Sequence, residues 1–149
     1  MKVVKIASPA AVAVLRQATA IAPKRKKASD GLLPSAAHQR QNPTSDHNTG
    51  LAVDLTHDPD SGFDCHYLFD KLRDDSRVSY LIFHGKIWVD GKGESRYTGS
   101  NPHVKHIHVS IKKDKRNETS PWFPWMEKPK VLDRLKSKVK KLPKKESGK

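Results

Sequence analysis

Cysteine is almost absent from this chain: Cys65 stands alone among 149 residues. One thiol cannot close a disulfide within the chain, and it cannot build a Cys-x-x-Cys zinc site. The fold must therefore hold without crosslinks, and synthesis in a reducing compartment is expected. Long apolar runs are missing as well, which excludes a membrane-spanning helix. The first twenty residues come nearest to a secretory signal, with Lys2 and Lys5 as a basic start and Ala10 to Leu15 as an apolar centre. Arg16 and Gln17 interrupt that run too early, so the expectation is a chain without a signal peptide.

Acidic residues are scarce except in one region. Asp46, Asp54, Asp58, Asp60, Asp64, Asp70, Asp74 and Asp75 crowd between Asn42 and Ser76, while the chain as a whole carries a formal charge of +13. The positive excess lies elsewhere. Lys24 to Lys27 is one basic run, read as exposed, and from Ile111 onward 14 Lys or Arg face 5 Asp or Glu. Such an end seeks polyanions: nucleic acid, anionic lipid, or an anionic envelope polymer.

The length suits one domain with a modest core. Pro9 to Ala22 reads as a helix with Pro9 at its start and Ala11, Leu15, Ala18 and Ala22 on one stripe. Pro23 to Pro34 reads as a loop with a turn at Asp30-Gly31, and Leu51 to Leu55 as a short buried strand after the turn residue Gly50. Asp64 to Asp74 reads as a helix, burying Cys65, Leu68, Phe69 and Leu72. Val78 to Phe83 and Ile87 to Val89 read as a hairpin turning at His84-Gly85-Lys86, and Gly91 to Ser100 as a loop. The run Pro121-Trp-Phe-Pro-Trp-Met126 is extended and pins the tail to the domain. Val131 to Leu142 reads as an amphipathic basic helix. Strands mixed with peripheral helices make an α+β domain over 1–112, followed by an aromatic and basic C-terminal extension over 113–149.

The most informative residues are histidines. His103, His106 and His108 fall within six positions, and alternation from Val104 to Ile111 puts His106, His108 and Ser110 on one strand face, with Ile107, Val109 and Ile111 on the other. A face of imidazoles opposite an apolar face points to metal binding or proton transfer. Upstream, Ser45-Asp-His47 and Asp54 form a second group, its histidine and last aspartate seven residues apart. His47, Asp54 and His108 make two nitrogens and one carboxylate, a three-ligand zinc set that leaves the fourth tetrahedral position for water.

The pattern Ser-x-His-x6-Asp followed by His-x-His on a strand resembles the zinc peptidases of bacterial cell walls. These are the D-alanyl-D-alanine carboxypeptidases and the bacteriophage L-alanyl-D-glutamate endopeptidases, which share a metal-site fold with the hedgehog signalling domain. Ala28-Ser-Asp-Gly31, Ala36-Ala-His38, Ser45-Asp-His47, Ala52-Val-Asp-Leu-Thr-His-Asp-Pro59 and Tyr97-Thr-Gly-Ser-Asn-Pro-His103 carry the likeness, over roughly residues 8 to 112. The resemblance implies a small antiparallel sheet with flanking helices around a single zinc ion held by His47, Asp54 and His108. It places His103 as acid/base, five residues before the last ligand, and His106 beside it on the substrate or oxyanion, with the two roles exchangeable. The glutamate that some members use is missing here, Glu94 being the nearest. Arg40 is the candidate to hold a peptide carboxylate or steady the oxyanion.

Such a protein would be a monomeric metallopeptidase acting on peptidoglycan stem peptides, in the manner of a phage endolysin or virion-associated lysin. It would be made in the host cytoplasm and act on the wall after release. Two other readings stand beside it. The first is a non-catalytic zinc-bound module that attaches to an anionic envelope or nucleic-acid partner through its basic ends. The second is a two-histidine phosphoesterase. His108-Val-Ser-Ile111 fits that signature once, but no second copy exists to flank the phosphate.

Overall fold

The computed structural model describes residues 7–32 and 45–126. His38, Arg40 and the helix expected over Val131 to Leu142 lie outside the described residues.

Helix α1 spans Pro9–Ile21 and starts where Ser8 accepts a hydrogen bond from the Ala11 N–H at 3.2 Å. Proline at the first helical position costs no bond, because that N–H has no acceptor inside the helix. Its buried face runs through Ala10, Ala11, Val14, Ala18 and Ile21, wider than the predicted stripe, and Leu15 is only partly covered. Small alanines let α1 lie close against the first strand.

Five strands form one antiparallel sheet in the order β1 (Ala52–Thr56), β5 (His106–Ile111), β2 (Val78–Phe83), β3 (Lys86–Val89), β4 (Gly93–Arg96). Helix α2 (Cys65–Leu72) lies against it, capped by the Asp64 carboxylate, which accepts from His66 N–H at 2.9 Å. Val53, Leu55, Leu81, Phe83, Ile107, Val109 and Ile111 point into the core beneath α1 and α2. The period-2 geometry then sends Asp54, His106, His108 and Ser110 to the other face. Cys65 is fully buried, and burial pushes its thiol far up, so it serves as a core residue and not as a nucleophile.

Several expectations need correction. The stretch Gly91 to Ser100 contains β4, a strand with no buried residue that pairs with β3 along its length. Without apolar alternation it left no periodic signal. Strand β5 begins at His106, not Val104, because the chain at His103 takes a left-handed conformation (φ 59) that breaks extended pairing. Arg25 is buried, not exposed like its neighbours in the basic run. Its guanidinium donates to both oxygens of Asp30 at 2.9 and 2.7 Å and lies over the Phe63 ring. Gly31 is accordingly no simple turn residue. Its N–H donates to Asp54 O at 3.1 Å, and its carbonyl accepts from Asp54 N–H at 2.8 Å. The β2–β3 hairpin turns on two residues, His84 (φ 52) and Gly85 (φ 75), the twist that suits a two-residue connection.

Asp30 also accepts from the N–H and hydroxyl of Thr56. Burial alone would raise its pKa, but Arg25 and the two Thr56 donors outweigh burial and hold the carboxyl below its usual range. A carboxyl that ionises more easily when folded stabilises fully above its unfolded pKa of about 3.9, and that contribution is lost as pH falls through the lower folded value. Asp30→Asn should therefore lower the urea midpoint at pH 7 and shrink the stability lost between about pH 4 and pH 2; an acid limb as steep as the parent's would count against this origin.

The segment after β5 returns to the core. Trp122 and Phe123 are buried, and Phe123 meets Phe63 edge to face at 6.1 Å. The Arg77 guanidinium sits 3.6 Å from the Trp122 ring centroid while gripping Asp75 at 2.7 Å and the Pro121 carbonyl at 2.9 Å. The expected pinning of the aromatic run is thus observed. Trp122→Ala should cost about 3–5 kcal/mol of unfolding free energy, read by urea denaturation, because a large buried ring leaves a cavity the neighbours cannot fill.

Candidate metal centre

Local sequence places His47. Ser45 accepts from the His47 N–H at 3.3 Å and starts a one-turn 3₁₀ helix, Asp46–Thr49. Gly50 closes it at φ 74, a conformation that favours glycine. Leu51 N–H then bonds back to Asp46 O at 2.9 Å, and the chain enters β1. His47 is thereby folded over the strand that carries Asp54. The register pairs Asp54 with His108 and Thr56 with His106, so the carboxylate and both imidazoles share one sheet face.

Three groups converge. His47 Nε2 and His108 Nδ1 each lie 3.2 Å from Asp54 Oδ1, and one ligand atom from each residue lies within 4.8 Å of the others. His47 and His108 are buried, and Asp54 is largely so. The spacing suits a metal. Four ligands at the usual zinc distances stand about 3.3 Å apart along a tetrahedron's edge.

The hydrogen bonds on the far sides of the rings say what these atoms carry. His47 Nδ1 lies 2.9 Å from the Leu32 carbonyl, which can only accept, so Nδ1 bears the proton. His108 Nε2 lies 2.7 Å from Ser110 Oγ, and Ser110 pairs with Tyr80 across β5 and β2. In a neutral His47 ring, the nitrogen facing Asp54, Nε2, then carries the lone pair. A lone pair facing a carboxylate oxygen is repelled unless a proton or a metal ion lies between them. Burial works against ionisation of Asp54, but His108 and His47 overcome it and hold the carboxyl well below its usual range. Burial likewise lowers His47, and Asp54 more than restores it, leaving that imidazole above its usual value. The centre is built to hold positive charge, as a proton or as a metal ion. His47, Asp54 and His108 are close enough to hold the metal.

His106 stands beside this centre, its Nε2 3.7 Å from the other oxygen of Asp54. Burial lowers its pKa against the opposing pull of Asp54. His103 comes from the loop before β5. Its ring lies 4.8 Å from His106 and 5.9 Å from His108 between centroids. Asn101 fixes it at both ends: the side-chain oxygen accepts from His103 N–H at 3.0 Å, and the main-chain carbonyl accepts from Nδ1–H at 2.6 Å. Nε2 is left with the lone pair. Burial, then the nearness of His106 and His108, brings its pKa down to about 4, so the ring is neutral at physiological pH.

Sequence reasoning did not single out Tyr80, the Leu32 carbonyl or Asn101. Tyr80 stacks on His108 at 5.2 Å and could have been suspected only from the cross-strand partner of Ser110. His57 points away from this centre, and its Nδ1 accepts from Cys65 N–H at 3.0 Å, at the start of α2. His66 and His84 are on the surface. No protein-family model, curated protein or solved structure matches this chain.

Proposed function

We propose that the protein is a zinc peptidase of the cell-wall type, cleaving peptide bonds in the stem peptides of bacterial peptidoglycan as a phage lysin does. The observation that carries this reading is the convergence of His47 Nε2, Asp54 Oδ1 and His108 Nδ1, each ring oriented by a fixed hydrogen bond on its other side. Two imidazoles and one carboxylate favour zinc over magnesium or calcium, which prefer oxygen ligands. Zinc held there would polarise the scissile carbonyl and make water acidic near neutral pH.

The rest falls to the chain. His103, neutral and with its lone pair at Nε2, takes the proton from the attacking water. It returns that proton to the leaving amine as the bond breaks. His106 hydrogen-bonds the carbonyl oxygen as negative charge develops there. Tyr80 and Ser110 keep His108 in one orientation. Arg40 binds a carboxylate of the stem peptide, and the basic residues after Ile111 attach the protein to anionic envelope polymer or membrane surface.

Purified murein tests the proposal directly. Turbidity should fall with the protein present, stop falling with chelator, and resume on adding zinc; murein unchanged under all three conditions overturns it. Mass spectrometry of the released muropeptides then names the bond, since each cleavage leaves its own new amine and carboxylate.

A further inference from the structure

We propose that His57, Asp64 and His66 form a second, weaker site for a divalent first-row transition ion, where the end of β1 meets the first turn of α2. It shares no residue with the first centre. One ligand atom from each of the three lies within 4.8 Å of the others. The His57 and His66 rings meet edge to face at 5.4 Å, and the His84 ring stands 5.1 Å from His66, supplying a further imidazole beside the group. Phe83 forms the floor, its ring 5.1 Å from His57 and 4.8 Å from His66. An apolar floor under imidazole and carboxylate donors excludes water on one side and leaves the other open to an arriving ion.

The donors select the ligand. Nitrogen-rich sets prefer zinc, nickel and copper to magnesium or calcium. Asp64 is held over the helix start because it caps the His66 N–H, so its carboxylate is already oriented. Burial, with His66 and His84 nearby, holds the His57 imidazole below its ordinary value against the pull of Asp64, so its neutral form persists.

Two features make this site the weaker one. His57 Nδ1 accepts from Cys65 N–H, and an ion taking that lone pair must displace the bond. The same nitrogen is 4.0 Å from Asp64 Oδ1, longer than the 3.2 Å spacings of the first centre, so the group must contract around its ion. Affinity at least about tenfold below that of the first centre follows from a displaced hydrogen bond together with that rearrangement.

Zinc titration of the full chain against a chromophoric chelator tests this. Two equivalents should bind, the second at least about tenfold weaker. His66→Ala, at an exposed position, and Asp64→Asn, which keeps a capping oxygen, should each lose the weaker equivalent and retain the tighter. In parallel, nitrogen-15 spectra of the imidazoles should show the second equivalent moving His57 and His66. A single equivalent in the parent, two equivalents in both variants, or a second equivalent that leaves those rings unmoved overturns the proposal. Loss of only the tighter equivalent in His108→Ala supports two independent sites and separates this result from the fate of the peptidase reading.

Discussion

Asp54→Ala should empty the first metal centre. Its Oδ1 is the atom both imidazoles face at 3.2 Å, and it is the one carboxylate of the three-residue set. Changing an outer partner of a metal ligand already costs roughly 10- to 100-fold in affinity, and removing the only carboxylate ligand must cost more. Elemental analysis after dialysis should find the tightly held zinc gone, and turnover on murein should fall to that of the chelated parent. Far-ultraviolet circular dichroism should stay close to the parent's, because α1, α2 and the apolar sheet face do not depend on that side chain. Zinc retained at parental affinity would sink the assignment of the ligand set, whatever the activity.

The second large effect belongs to His103. Exchange for glutamine should lower turnover by about 100- to 10,000-fold with zinc content unchanged, the range expected for losing a positioned acid/base. His103 is held in a left-handed backbone conformation by two bonds to Asn101. A non-glycine residue in that region is strained by about 1 kcal/mol or more, and the loop keeps it there beside the metal centre. Asn101→Ala should produce a smaller loss, because the imidazole remains but its tautomer and position loosen. Undiminished turnover in the His103 variant would move the acid/base role to His106, and a chain that holds zinc but never turns over murein would favour the non-catalytic binding module.

The candidate metal centre was legible because it obeys short-range rules. Alternation alone put His106 and His108 on one face of β5, and Gly50 announced the turn that folds His47 over Asp54. The groups that orient the ligands could not be read that way. Leu32 lies fifteen residues from His47 and reaches it through its carbonyl, which every residue possesses. Tyr80 reaches His108 only because β2 pairs with β5, a register that no local pattern states. Arg25 misled for a related reason: a basic run looks solvated until a partner such as Asp30 and a ring such as Phe63 are known to lie across from one of its members. The fold class followed from periodicity, whereas β4, built from glycine, glutamate, serine and arginine, has the composition of a loop and is a strand only by virtue of its neighbour.

The borders of the sheet bear on how these molecules meet one another. On one side, the outward amides of Asp54 and Thr56 are already occupied by Gly31 and by the Asp30 carboxylate. On the other, β4 is four residues long and carries Glu94, tied to Arg73 at 2.8 Å, and Arg96. Among the described residues, neither border offers a long, flat, greasy template to a second chain. Added to a formal charge of +13, this disfavours edge-to-edge strand pairing between copies of the chain.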